Sequence, residues 1–230
     1  MKPDLHSSPL VVATVTQKSD LDFLKAETFS GSDVLEFRLD NLRDQASEAL
    51  ESMATSPLPV LTTVRSSLEG GAGNLSTEQR VSLYTEALPY SHLLDIEVDS
   101  LRGGGFSELM SEAAARGIQR IGSFHDFDTF PGIDVLRDAI SEAFSLDADV
   151  AKLAVHLDNR SQLYALAELV SETRTTGRLI SAMGMGPLGK LSRLVLPEAG
   201  SCLNYGYLQV ANAPGQWSAA QLSALLQQLP

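Results

Sequence analysis

The sequence predicts a single-domain (β/α)8 barrel over residues 1–230. Three observations carry the prediction. Strand-like and helix-like segments alternate in eight near-equal pairs, with no leftover strand. No linker, composition break or low-complexity tract interrupts them. The length, 230 residues, is close to the ~250 typical of such barrels. A doubly wound open sheet is the rival, since it has the same alternation; eight equal units favour closure.

The elements follow in order. LVVATVT (10–16) is an apolar, β-branched strand, and a helical pattern runs from Leu21 to Glu27. DVLEFRLD (33–40) is the second strand and RDQASEALESMA (43–54) its amphipathic helix. PVLTTVRS (59–66) leads to TEQRVSLYTEAL (77–88), with Ser76 or Thr77 placed to cap it. HLLDIEVDS (92–100) precedes FSELMSEAAARG (106–117), which Gly117 closes. QRIGSFHDF (119–127) pairs with GIDVLRDAISEAFSL (132–146), and ADVAKLAVH (148–156) with RSQLYALAELVSETR (160–174). RLISAMG (178–184) is followed by a short helix from Leu188 to Val195, cut short by Pro197. SCLNYGYL (201–208) and SAAQLSALLQQL (218–229) complete the series.

Hydrophobic residues make up 43% of the chain, enough for a sizeable core. A net charge of −12 argues against nucleic acid and anionic membranes as partners. A small anionic substrate remains compatible if a local basic pocket works against that charge. The single cysteine, Cys202, excludes an internal disulfide and reads as a buried small hydrophobe. The N-terminus lacks signal-peptide character and no apolar stretch approaches the ~20 residues of a spanning helix. The expectation is a soluble, cytoplasmic protein; a homodimer is compatible with it.

The second strand poses a question that the barrel answers. Leu35, Phe37 and Leu39 alternate with Glu36 and Arg38, and Leu94, Ile96 and Val98 alternate with Asp95, Glu97 and Asp99 in the fourth. If the apolar set faces the helices, the charges point into the barrel. Glu36, Arg38, Glu97, His125 and Lys152 would then share its interior. Burying unpaired ions costs several kcal/mol each, which a site justifies, and barrel sites lie at the C-terminal strand ends. Paired structural ions plugging the barrel are the plain alternative.

Lys152, within DVAKLAV, is expected to be desolvated, with a cation as a further neighbour. Both effects favour a neutral amine able to attack a ketone. His125, in SFHDF, suits general acid/base work, and Glu97 is placed to orient its ring. His6, His92 and His156 show no metal spacing, so neither a metal nor another cofactor is expected. GMGPLG (184–189) matches a dinucleotide fingerprint in the wrong context, and fits a carboxylate or phosphate at a helix start better. LEGGAGNLS (68–76) reads as a mobile rim loop, since no Gly-Lys-Ser/Thr follows.

Taken together, EFRLD, TTVRSSLEGG, DIEV, SFHDF, AKLAV, MGPLGKLSR and NAPGQ, each at a strand end and in this order, resemble type I 3-dehydroquinate dehydratases. The resemblance covers almost the whole chain. It implies a barrel that removes water from 3-dehydroquinate to give 3-dehydroshikimate, a step toward aromatic amino acids. By the same resemblance Lys152 is the Schiff-base lysine, His125 the acid/base and Glu97 the carboxylate that orients it. Glu36, Arg38 and Arg65 are implied as substrate contacts, Arg193 as the carboxylate clamp, and Gln216 as a contact from the loop after the eighth strand. Met185 and Tyr205 are implied as apolar walls, with Tyr205 where the family often has Phe; Thr14 stands where a small hydroxyl residue is common. Asn212 stands where the family often has Ser, and is implied as a substrate contact of altered geometry. The rivals are a class I aldolase, which would need no carboxylate clamp, a catalytically silent metabolite-binding barrel, and a purely structural one.

Overall fold

The computed structural model describes residues 2–6, 9–26, 30–211 and 215–229. Eight parallel strands form a nearly closed barrel: β1 (Leu10–Val15), β2 (Val34–Arg38), β3 (Val60–Thr63), β4 (Leu93–Glu97), β5 (Gln119–Asp126), β6 (Val150–His156), β7 (Leu179–Met185) and β8 (Leu203–Tyr207). The ladders run in the order β7-β6-β5-β4-β3-β2-β1-β8. At the β7–β8 seam the Cys202 amide donates to the Ile180 carbonyl at 2.9 Å. Serine hydroxyls complete that seam: Ser181 Oγ donates to the Leu203 carbonyl at 2.7 Å, and the Ala182 amide donates to Ser201 Oγ at 3.0 Å.

The helices are α1 (Lys18–Ala26), α2 (Ala46–Ala54), α3 (Thr77–Ala87), α4 (Val98–Arg102), α5 (Ser107–Ala115), α6 (Ile133–Ser145), α7 (Arg160–Thr175), α8 (Gly189–Glu198) and α9 (Ala219–Leu226). Ser76 caps α3 in a reciprocal capping box with Gln79, which satisfies two of the end donors. Gly117 takes the left-handed conformation after α5, at φ 71°.

Strand alternation sorts the side chains as the sequence predicts. Leu35, Phe37, Leu39, Leu94 and Ile96 join one helix-facing cluster, and Ala151, Leu153 and Val155 another. Inside the barrel, Val12, Val34, Leu61, Leu93, Ile121, Val150 and Leu203 pack around Leu5 and form an apolar floor. Above it the interior turns polar, with Glu36, Asp95, Ser123, Lys152 and Ser181 all buried. Cys202 is buried with the interior cluster, and burial pushes its thiol up to about 12.

Three boundaries differ from expectation. α1 begins at Lys18 rather than Leu21, because the Asp20 carboxylate accepts the Thr16 and Gln17 amides and caps the chain earlier. β4 stops at Glu97, and the chain turns at once into α4. Asp99 therefore leaves the barrel and binds Arg102 on the surface at 2.7 Å. α8 continues to Glu198 with Pro197 inside its last turn. The proline forfeits one amide bond there, a loss a final turn tolerates. No helix among the described residues is long and apolar enough to cross a membrane.

Candidate active site

The C-terminal mouth of the barrel opens on a cavity of about 160 Å³. It is bordered by Thr14, Glu36, Arg38, Arg65, Lys152 and His125, and by Met185, Arg193, Tyr205 and Gln216 from the other side. The cavity thus brings together all the sequence-predicted site residues except two. Asn212 lies outside the described residues, and Glu97 sits behind the wall.

β4, β5 and β6 build the centre by register. Ser123 pairs with Lys152 across β5 and β6, and His125 stands one inward position higher. Lys152 Nζ donates to Asp95 Oδ2 at 2.6 Å and lies 4.1 Å from the centre of the Tyr205 ring. The lysine is therefore half of a buried ion pair rather than the bare amine that desolvation alone would leave. Asp95 also accepts from Ser123 at 2.6 Å and pairs with Arg65 at 2.9 Å. Burial would raise the Asp95 carboxyl, but Arg65 and Lys152 outweigh it and hold the group ionised far below the usual range.

Glu97 does not reach the imidazole. Its carboxylate accepts Arg65 Nη1 at 3.1 Å, the Ser66 amide at 2.7 Å, and Arg80 from α3. Two guanidiniums claim it before the histidine can. The carboxyl that orients His125 is Glu69, on the one-turn helix Ser67–Glu69 after β3. Glu69 Oε2 lies 2.7 Å from Nδ1 and accepts the His125 amide at 3.0 Å. Its only sequence signal was the acid before the two glycines in LEGG.

Local structure fixes this loop. Asp40 binds Arg38 through two bonds at 2.8 and 2.9 Å, and accepts the amides of Arg65 and Ala72. Gly71 passes so close to Arg65 that a Cβ would lie 2.0 Å from the Arg65 carbonyl oxygen. Far from being a free rim, the loop is tied to the end of β2.

Burial drives the imidazole well below its ordinary value, helped by the Arg65 and Lys152 charges. Burial also raises Glu69 to about 8, against the opposing pull of Arg65. With Glu69 protonated, its hydroxyl donates to Nδ1 and the ring hydrogen stands on Nε2. With Glu69 ionised, Nδ1–H donates to Oε2 and Nε2 presents a lone pair, the form that acts as a base.

Arg193, from α8, is buried on the opposite side. It donates to the carbonyls of Tyr205 (2.9 Å), Gly184 (2.9 Å), Gly189 (2.8 Å) and Gly215 (3.3 Å). Dipoles hold it in place, and no carboxylate appears among these bonds. Burial alone lowers it to about 10, so it remains a cation at neutral pH. Glu36 accepts from Thr63 at 2.8 Å. His156 ends β6 and lies 3.2 Å from Asp158.

An acid–base pair and a buried lysine at the C-terminal mouth of a parallel barrel mark an enzyme site. Known proteins give its class, a hydro-lyase. The type I 3-dehydroquinase family model matches residues 9–230. The 3-dehydroquinate dehydratase of Methanosarcina barkeri is 32% identical over 98% of this chain and 97% of its own. That of Methanocella arvoryzae is 33% identical over 93% and 94%. Among solved structures, a type I 3-dehydroquinate dehydratase from Clostridium difficile with covalently modified comenic acid superposes with a TM-score of 0.84. It is 26% identical, over 96% of this chain and 91% of its own. The chain belongs to the type I 3-dehydroquinase family.

Proposed function

We propose that the chain dehydrates 3-dehydroquinate to 3-dehydroshikimate, a step toward aromatic amino acids, through an imine on Lys152, and that residues 1–230 act as one cytoplasmic catalytic unit. The observation that carries this reading is that the buried Lys152 amine and an imidazole held by Glu69 border one cavity. The relative from Clostridium difficile, with its covalently modified comenic acid, supports covalent chemistry at such a site.

The steps follow from the groups present. His125, neutral and with Glu69 ionised, accepts at Nε2 the proton that Lys152 must shed before it attacks the ring ketone. Loss of the carbonyl oxygen as water leaves an iminium, whose charge Asp95 balances in place of the ammonium's. The iminium acidifies the adjacent carbon, and His125 takes that proton. The enamine pair then expels the β-hydroxyl, which receives the proton back from His125 and leaves as water. A further water hydrolyses the imine and frees the lysine. While the imidazole is charged, an ionised Glu69 stabilises it.

Borohydride added with 3-dehydroquinate is expected to fix a covalent adduct on the peptide holding Lys152, found by mass mapping. His125→Ala should still trap the imine, though more slowly, while turnover stalls. Absence of an adduct in the unaltered protein refutes the reading.

Arg193 is assigned the substrate carboxylate, and Glu36, Arg38, Gln216 and Asn212 the ring hydroxyls. Charge-assisted bonds from a buried guanidinium contribute on the order of 2–3 kcal/mol to a carboxylate. Arg193→Ala should therefore raise KM roughly 100-fold, with a smaller change in kcat. Its Tm should also fall, since four carbonyls lose their donor. An unchanged KM would remove the clamp from this account.

A further inference from the structure

Gln216 borders the cavity from the segment between β8 and α9, where no strand or helix runs through residues 215–217. Its two neighbours are fastened instead to α8 and the turn before it. Gly215 packs backbone to backbone there: a Cβ on it would lie 2.9 Å from the Gly186 carbonyl oxygen and 3.3 Å from Gly189 Cα. Arg193 Nη1 adds a bond of 3.3 Å to the Gly215 carbonyl.

Trp217, the chain's single tryptophan, supplies the side-chain anchor. Its indole Nε1–H donates to the Lys190 carbonyl at 3.0 Å, and the Lys190 ammonium lies 4.5 Å from the centre of its ring. The ring also packs against the helix-facing cluster that holds Leu222. Beyond it the chain is set: the Trp217 carbonyl accepts the Tyr207 amide at 3.1 Å, and Ser218 caps α9. Lys190 stands about one turn of α8 before Arg193. The indole thus ties Gln216 to the helix that carries Arg193.

We propose that Trp217 is a positioning residue that fixes Gln216 relative to Arg193, and so sets how tightly the site grips its substrate. The inference rests on the reading above of Gln216 and Arg193 as contacts to the ring hydroxyls and the carboxylate. A side chain on an irregular segment must be ordered when it binds, and that ordering weakens the grip it provides. Trp217 orders Gln216 in advance. Among the described residues Gln216 borders the cavity and Trp217 does not, so the effect of the indole on binding passes through its neighbour.

The test is a double-mutant cycle on KM for 3-dehydroquinate, with Trp217→Ala, Gln216→Ala and the two combined. Gln216→Ala loses a hydrogen bond of ordinary strength and should raise KM about fivefold, with a smaller change in kcat. Trp217→Ala should raise KM to a similar extent, yet add less than about 1.5-fold in the Gln216→Ala background. Trp217→Phe keeps a ring against the core and loses the indole N–H; its KM should fall between those of the unaltered protein and Trp217→Ala. It reads the same coupling should the alanine variant fold poorly. Equal effects of the Trp217 changes in both backgrounds overturn the inference and leave the indole a matter of packing. So does a KM that neither Gln216→Ala nor the Trp217 changes move. An unaltered protein that does not dehydrate 3-dehydroquinate refutes the function proposed above, a distinct outcome.

Discussion

Replacing Lys152 by alanine is expected to lower kcat by roughly 10⁴-fold or more, the scale on which loss of a covalent nucleophile is felt. The same change removes one half of the Lys152–Asp95 pair, whose side chains are only 5% and 0% exposed. Breaking a buried pair from one side costs about 3–5 kcal/mol. Here Arg65 and Ser123 still hold Asp95, so the loss should fall at or below the lower end. Circular dichroism should therefore show a folded barrel with a lower Tm, and borohydride should leave no adduct. Lys152→Ala together with Asp95→Asn should recover part of the stability and none of the turnover. Residual activity above about 1% would mean that the amine is not the nucleophile.

The second large effect is expected from Glu69→Gln, and it has opposite signs for activity and stability. Oε2 accepts from the His125 amide and faces Nδ1, so a glutamine seats its carbonyl oxygen there and keeps the ring in place without a negative charge. The imidazolium formed at each proton transfer then lacks its counter-charge, at a cost of about 10²–10⁴ in kcat. Stability moves the other way. Glu69 rises from an ordinary 4.5 to about 8 in the folded protein. Between those values the native state binds more protons than the unfolded one, so stability falls as pH rises from 4.5 to 8. The glutamine variant is free of that decline. Its Tm advantage should be absent below pH 4.5 and complete above about 8, approaching roughly 2–3 kcal/mol after allowance for solvent screening. Thermal melts of both proteins at pH 4, 6 and 8.5 check the sign, and a parallel pH dependence in the two would contradict it.

The strand pattern made much of this legible in the sequence. A period of two sent Glu36 and Lys152 inward because the helix-facing partners, Leu35 and Phe37, Leu153 and Val155, were plainly apolar. His125 is reachable by the same logic, as a polar residue near a strand end, whereas Arg193, on α8, is legible only through the resemblance carried by MGPLGKLSR. Partnership was harder to see. Glu69 and His125 are 56 residues apart, and what joins them is a loop whose path depends on Asp40 and on close glycine packing. Glu97 showed the correct strand face, yet Arg80 comes from the helix after β3, and nothing in the strand period announces it. The apolar neighbours of Lys152 announce its burial, but its pairing with Asp95 crosses from β6 to β4, 57 residues away, and the strand period does not specify it.

The mouth of the barrel divides into two unlike halves. On the side of β2 to β6, Arg65 pairs with Asp95 and Glu97, Lys152 and Arg80 extend the same set of ion pairs, the Arg65 amide reaches Asp40, and Glu69 holds His125 beside them. On the side of β7 and β8, Met183, Met185 and Tyr205 contribute shape, and Arg193 hangs from main-chain carbonyls. An engineer wishing to refit the enzyme for a differently shaped keto acid would recut the methionines, which are adaptable gap-fillers. Among the described residues no side-chain hydrogen bond or ion pair of the proton-handling half passes through them, so recognition here is a replaceable fitting and chemistry a fixed one.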